Sequence, residues 1–450
     1  MAFISIHSNQ SNCLWPFALV SIIVVAMGSL SDCYDPLDPN GNITVTFDTY
    51  QWEDDGYSAK VTIQNFYQYR HVDQPGWKLG WIWAQNEMIW SMKGAFATKQ
   101  GNCSSFKSDM LHSCVKDPEI LDLMPDSSPD QMTDGCCRGG LLDAWAINPS
   151  KSFSSFQLKV GNLQANSFGT APLNLTLMAP GLGYTCGPLL DVNPTVSLDI
   201  GGKRQVQVFR TWKTTCTYSS FIAAKTPVCC VSLSTFYNPT ITACPLCSCG
   251  CRSADITTEI CKRTSSPLTN DVQSDPDVVK CTDHMCPIRV HWHIMSNYVD
   301  HWRVKLTVTN YNYHKSFLDW NLLVQHPGFS QRTTIYSFNS TMLPDGFRDE
   351  VALFWGIPYV NAELISTTED ELGSVTTEML LKKDMESFTF SHGWAFPRRL
   401  YFNGESCQMP LPDSFPTLPN GAVFIFAQPP HCLFLLLTYL TSQALLVPWL

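Results

Sequence analysis

The segment AKVTIQNF, residues 59–66, has a counterpart far downstream in VKLTVTNY, residues 304–311. In the first, Val61 and Ile63 alternate with Lys60, Thr62 and Gln64. In the second, Leu306 and Val308 alternate with Lys305, Thr307 and Thr309. This is the period of a β-strand with one buried face, because successive side chains point to opposite sides. The match extends beyond the pattern. Lys60 meets Lys305, Thr62 meets Thr307, Asn65 meets Asn310, and Phe66 meets Tyr311. A Trp-x-Leu follows each segment, at Trp77-Lys-Leu79 and Trp320-Asn-Leu322. The chain is therefore read as all-β, with two related β-sandwiches.

Other segments support this. NITVTFDTYQW, WKLGWIW, SFQLKVGN, LNLTLMA and RQVQVFRTW are alternating or β-branched and separated by turn residues. Residues 34–200 read as the first sandwich. A cysteine-rich region follows at 201–262, then a polar, proline-bearing linker at 263–280. Strands resume in PIRVHWHIMS, HWRVKLTVTNYNY and WNLLVQHP, placing the second sandwich at 281–420.

At 450 residues the chain exceeds one core, and its 44% hydrophobic content is that of a globular protein. Net charge is −10 with only 29 Lys and Arg, so no basic stripe offers itself to nucleic acid or to an anionic membrane surface. Both ends are apolar. LWPFALVSIIVVAM, residues 14–27, has the length of a signal-peptide core, and small residues follow it; residues 1–33 are expected to be removed. No Lys or Arg precedes Lys60, so only the α-amino group charges the extreme N-terminus. The other end, CLFLLLTYLTSQALLVPWL, carries no charge and has no polar residues after it. With Asn420-Gly421-Ala422 upstream it reads as a GPI-attachment signal, Asn420 being the attachment residue and 421–450 the propeptide. The spacer VFIFAQPPH is apolar in part, and a retained tail is the alternative. Together the ends imply secretion and tethering to the outer leaflet of the plasma membrane. Sequons at Asn42, Asn102, Asn174 and Asn339 fit that route; Pro239 excludes Asn238.

CCVSLSTFYNPTITACPLCSCGC, residues 229–251, contains Cys229, Cys230, Cys244, Cys247, Cys249 and Cys251. In an oxidising compartment such density implies disulfides. A zinc site usually separates two ligand pairs by a loop, which CPLCSCGC does not. No thioredoxin-like pattern surrounds Cys244-Pro-Leu-Cys247 either. Of the 19 cysteines, Cys13 and Cys432 lie in the expected signals; cleavage just before Tyr34 would also remove Cys33 and leave an even number. The pairings are not readable from spacing.

In GWKLGWIW, Trp77, Leu79, Trp81 and Trp83 share one strand face and are expected in the core. Trp52, Trp90 and Trp145 sit among polar and turn residues, in YQWEDDG, EMIWSM and LDAWAIN, and are candidates for exposure. Exposed planar rings suit polysaccharide, whose C–H faces stack on them at little ordering cost. Enzyme readings find less support. Asp54, Asp55, Asp349 and Glu350 carry no glycosidase signature, although such a site needs two opposed carboxylates. His291-Trp-His293 puts two imidazoles on one strand face, with His284 and His301 near, but shows no third ligand. No metal, cofactor or catalytic residue is expected.

YQWEDDGYSAKVTIQN, PGWKLGW and MIWSM resemble family 2 carbohydrate-binding modules. By that resemblance the surface platform maps onto Trp52, Trp90 and Trp145, and the buried Gly-Trp position onto Trp77. The long cysteine-bearing insert between Trp90 and Trp145 departs from the module. Over residues 34–420 the chain resembles the plant COBRA family of GPI-anchored wall proteins. The matching residues are YDPLDPNGNITV, QYRHVDQPGWKLGWIWA, LMAPGLGYTCGP, CCVSLSTFYN with CPLCSCGC, CTDHMCPIRVHWH, WAFPRRLYFNGESC and MPLPDSFPTLPN. The resemblance implies a non-catalytic, anchored extracellular protein that binds cellulose and modulates microfibril deposition, crystallinity or orientation. The alternative is an adhesion or signalling protein that recognises a wall protein or pectin through the C-terminal sandwich. Three positions depart from the family: Ser113 before Cys114 where two cysteines are common, Lys213 in TWKTTC where a sequon is expected, and Pro239. They imply a different pairing at Cys114 and fewer glycans.

Overall fold

The computed structural model describes residues 35–418, except 36, 105–110, 164–168, 199–204, 224–227, 244–286, 313–314, 331–332, 344–349, 369–370 and 384–394. The described residues form two β-sandwiches, with one four-residue α-helix, Ser220–Ala223. The two apolar ends, the linker, Asn420, and Cys244, Cys247, Cys249 and Cys251 lie outside the described residues.

In the first sandwich the larger sheet runs Leu190–Val192, Arg210–Tyr218, Ile43–Glu53, Gly56–Asn65, Phe153–Gly161, Met88–Lys93; Tyr184–Cys186 also pairs with Arg210–Tyr218. The facing sheet is Ala95–Ala97, Glu119–Asp122, Lys78–Ile82, Leu173–Met178. Trp77, Leu79, Trp81 and Trp83 are all buried between them, as their shared face implied. The Trp81 ring meets Phe47 at 5.5 Å and Trp77 stacks on Phe156 at 5.8 Å, so each bridges the two sheets.

The second sandwich packs Cys229–Thr235, Ile288–Asn297, His301–Asn310, Gly373–Lys382, Thr334–Ile335 against Asn339–Met342, Val351–Trp355, Asn321–Gln325, Arg399–Phe402, Glu405–Ser406. Its core centres on Trp292, Trp302, Trp320 and Phe354.

The internal echo is exact in register. Ile43 pairs with Asn65 in the first hairpin and Ile288 with Asn310 in the second. A β-bulge falls at Thr49/Gln51 in one and at Ile294/Ser296 in the other, at one constant offset. The matching asparagines work identically. Asn65 Oδ1 accepts from Tyr67 N at 3.1 Å while its Nδ2 donates to Arg70 O at 2.8 Å. Asn310 Oδ1 accepts from Asn312 N at 3.0 Å while its Nδ2 donates to Lys315 O at 2.7 Å. Each amide ends its strand by satisfying backbone groups that the sheet no longer pairs.

The first sandwich extends past residue 200. Arg210–Tyr218 hydrogen-bonds along Ile43–Glu53 and turns Trp212 and Cys216 into the first core. The CCVS block, Cys229–Thr235, then enters the second sandwich as its first strand, parallel to Ile288–Asn297 and buried throughout. The boundary therefore lies between Tyr218 and Cys229, inside what composition marks as one cysteine-rich region. Four disulfides lie wholly within the described residues: Cys103–Cys114, Cys136–Cys137, Cys186–Cys216 and Cys229–Cys407. Cys230 is disulfide-bonded too. Ser113, where the resemblance leads to the expectation of a second cysteine, is buried and donates to Lys99 O at 2.8 Å.

The two sandwiches share a small core of Leu37, Tyr69, Leu323, Val351, Leu353 and Tyr401. Beside it the turn Asn403-Gly404 joins Phe402 to Glu405, with φ of 48° and 87°. Two consecutive positive φ values make the two-residue turn that Asn-Gly favours. A Cβ on Gly404 would lie 2.7 Å from Arg70 Cβ, so only glycine lets the turn press against the first domain. Arg70 answers with a 2.8 Å ion pair to Glu405, a hydrogen bond to Gly404 O, and a guanidinium 3.7 Å above the Tyr218 ring.

Candidate functional site

The outer face of the larger sheet in the first sandwich is built for contact. Along it one ladder row crosses four strands: Gln51 opposite Ser58, Ser58 opposite Lys159, Lys159 opposite Ser91. Both ends of this row carry a β-bulge. Tyr50 is the extra residue between Thr49 and Gln51; Trp90 is the extra residue between Ile89 and Ser91. A bulge re-aims a side chain that regular alternation would point elsewhere. Here it leaves Tyr50 40% and Trp90 37% exposed. Three strand spacings separate them, about 14 Å.

Polar groups fill the row between the rings. Lys159 Nζ makes a 2.6 Å ion pair with Glu53 and lies 5.6 Å from the Trp90 ring centroid. Ser58 donates to Glu53 at 3.5 Å. Such a cation–π contact contributes about 0.5–1 kcal/mol at an exposed site and holds the indole in place. Gly161 makes room beneath it: a Cβ there would fall 1.9 Å from Trp90 Nε1. On one side of the row the same face continues with Lys60, Thr62, Gln157 and Lys93, all polar.

The other two sequence candidates lie elsewhere. Trp52 pairs with Tyr57, whose neighbour is Val160, so its ring belongs to the inner face. It is half-buried against the core, edge-on to Tyr57 at 5.5 Å. Trp52 and Trp90 thus occupy the same end of the sheet on opposite faces. Trp145 is half-buried, its ring against Phe66 at 5.2 Å, and its backbone N–H donates to Tyr67 O at 2.8 Å. That is the far end of Gly56–Asn65, a strand length of about 30 Å from Trp52. The structure does not bring the three rings into one plane. It brings Trp90 together with Tyr50, which alternation alone did not mark. The available signal was the break in period at TFDTYQW, where inward Phe47 and Thr49 give way to inward Trp52.

Among the sequons, Asn102 and Asn174 are exposed, while Asn42 and Asn339 are half-buried and donate to Asn40 O and Gly356 O at 2.8 and 3.1 Å. Of the four weighed carboxylates, Asp54 and Asp55 sit exposed in the turn before Gly56, Glu350 is paired with Arg398 at 2.9 Å, and Asp349 lies outside the described residues. Among the described residues no group of three or more His, Cys, Asp or Glu is placed to hold a metal. His291 and His293 do share a face, stacked at 6.3 Å. Both rings bind serine hydroxyls of the CCVS strand: Ser232 to His291 Nδ1 at 2.6 Å, and Ser234 to His291 Nε2 at 2.9 Å and to His293 Nδ1 at 2.7 Å.

Burial, with Arg289 and Lys305 near, lowers the His291 pKa to about 4. The unfolded ring titrates near its ordinary value of 6.5. Between those values the unfolded chain binds the extra proton, so stability is full above the unfolded pKa and is lost as pH falls through the folded one. The expected loss is about 2 kcal/mol between pH 7 and pH 4, after allowing for partial exposure. His291→Gln should flatten this part of the urea-midpoint profile; an unchanged slope would refute the assignment.

The fold and this face define a disulfide-stapled, double β-sandwich protein with an aromatic-ended polar row on its N-terminal domain. The COBRA N-terminal domain model matches residues 57–219 and the COBRA family C-terminal domain model residues 228–416, dividing the chain where the two sheets part. COBRA-like protein 1 of Oryza sativa subsp. japonica is 49% identical over 419 residues, covering 91% of this chain and 93% of that protein. Protein COBRA of Arabidopsis thaliana is 46% identical over 418 residues, covering 91% of each chain. COBRA-like protein 4 of Arabidopsis thaliana is 46% identical over 398 residues, covering 88% and 92%. The chain belongs to the COBRA family.

Proposed function

We propose that this is a non-catalytic, GPI-anchored extracellular protein of the plant cell wall that binds cellulose and modulates microfibril deposition, crystallinity or orientation. The observation that carries the proposal is the Tyr50–Trp90 row. Two exposed rings flank hydroxyl, ammonium and carboxylate groups on one face of a rigid sheet. The rings offer area to the C–H faces of glucose units, and the polar groups between them offer hydrogen bonds to hydroxyls. A sheet face suits a flat, repeating ligand better than a single small molecule. Anchoring through Asn420 would keep this face at the outer leaflet, where new glucan emerges; the protein would contact cellulose without making or breaking bonds.

The test is co-sedimentation of the full chain with microcrystalline cellulose. Tyr50→Ala/Trp90→Ala should lower the bound fraction at least tenfold, since stacked rings of this kind contribute on the order of 1 kcal/mol or more each. Circular dichroism should show an unchanged fold. Equal binding by the folded double variant would refute the face. It would favour the second reading, in which the C-terminal sandwich recognises a wall protein or pectin.

A further inference from the structure

The second sandwich has an outer face of its own. On His301–Asn310, Val304, Leu306 and Val308 enter the core, so Arg303, Lys305 and Thr307 point away from it. There a groove of about 770 Å³ crosses Arg303, Lys305, Thr376 and Glu378 and is lined by Tyr298 and Tyr336 as well. That volume lies in the range of ligand sites. Tyr336 N donates to Glu378 O at 3.2 Å and Tyr298 N to His301 O at 2.9 Å, so each ring stands on backbone tied to the sheet. The groups that would meet a ligand are open to it. Tyr298 is 48% exposed, Tyr336 60%, and the Arg303 side chain 41%. Lys305 is exposed too.

The lining narrows the ligand class. Two exposed rings offer flat apolar area to sugar C–H faces. The threonine and tyrosine hydroxyls suit a hydroxylated chain. The charges decide more. Arg303 Nε and Nη2 both donate to Glu378 Oε2, at 3.0 and 2.6 Å, so that pair is internally neutral. Lys305 lies opposite Glu378 in register, and among the described residues it makes no ion pair. On its other side stands His293, which burial and the Lys305 ammonium hold towards the neutral form. Lys382 and Asp300, at the His301 end of the face, offset one another. One ammonium is therefore left over in the groove. A neutral sugar laid over Lys305 would take water from that charge and return nothing. A carboxylate would pair with it in a charge-assisted hydrogen bond. The site is concave, which fits one chain and not a flat crystal face.

We propose that this groove binds a single chain of an acidic, uronate-bearing polysaccharide, with a carboxylate on Lys305 and sugar rings on Tyr298 and Tyr336. The site is separate from the Tyr50–Trp90 row and stands whether or not that row binds cellulose. It rests on the second reading in placing recognition on the C-terminal sandwich, and of the two partners named there it selects the acidic polysaccharide. With both sites filled, one molecule would join a neutral glucan to an acidic chain.

The test is a saturation-transfer NMR titration of the full chain with tetragalacturonate and with its methyl ester. Wild type should bind the free acid about threefold to fivefold more tightly than the ester, the effect of one exposed ion pair. Lys305→Met should remove that preference and Lys305→Arg should keep it; a loss of stability alone would not change one ligand relative to the other. Tyr298→Ala/Tyr336→Ala, at two exposed positions, should weaken both ligands by about tenfold. Tyr50→Ala/Trp90→Ala should bind the acid as wild type does, which keeps this outcome apart from that of the cellulose experiment. No tetragalacturonate signal from wild type would overturn the proposal, as would equal affinity for acid and ester. A preference that survives Lys305→Met, or full binding by Tyr298→Ala/Tyr336→Ala, would remove the chain from this groove. Binding lost in Tyr50→Ala/Trp90→Ala would place it on the first sandwich and overturn the proposal as well.

Discussion

Glu405→Ala is expected to lower stability by about 3–5 kcal/mol, the cost of stranding a buried charge. The stranded group is Arg70, whose side chain is 10% exposed and 2.8 Å from Glu405. Burial works against the Arg70 cation; Glu405, with Tyr184 and Tyr218, outweighs it and holds the group charged. Remove Glu405 and the desolvation cost remains while the compensation goes. The same account predicts that Arg70→Met/Glu405→Ala loses much less than Glu405→Ala alone. Replacing both ends of a buried pair by apolar groups is often close to neutral. Urea denaturation of the two variants decides it. If the single and double variants lose equally, the pair is not what seats the second sandwich on the first.

The second large effect is at Cys229–Cys407. This disulfide joins the first strand of the C-terminal sandwich to its last hairpin across a sequence separation of 178. On the chain-entropy account, closing so long a loop restricts the unfolded chain by about 5 kcal/mol. Cys229→Ala/Cys407→Ala is therefore expected to melt far below wild type, and to free the strand that carries Ser232 and Ser234. Cys136–Cys137 is the internal control, because its sequence separation of 1 closes no loop. Its removal should cost little. Comparable losses from both would show that loop closure is not the source of the stabilisation.

Much of the fold can be read from alternation and from one repeated asparagine. Val61, Ile63, Leu306 and Val308 face inward because strands of period two can bury only one face, and Asn65 and Asn310 mark the same strand end twice. The Trp77–Trp83 row is core for the same reason. The site is less readable because it rests on departures from that period. Whether Trp52 faces in or out depends on a bulge two residues earlier, at Tyr50, and a bulge leaves no fixed residue type behind. Trp145 looks exposed from its polar neighbours but packs on Phe66, a contact between segments far apart in sequence. The Asn403-Gly404 turn did carry a local signal. That it presses on Arg70 follows only from the assembled domains.

The most direct measurement is hydroxyl-radical footprinting of the full chain with and without cellulose nanocrystals, read at single aromatic residues. The account predicts that Tyr50 and Trp90 are protected together, while exposed Tyr359 of the second sandwich and half-buried Trp145 react as in the free protein. Protection of Trp145 with Tyr50 and Trp90 unchanged would contradict it.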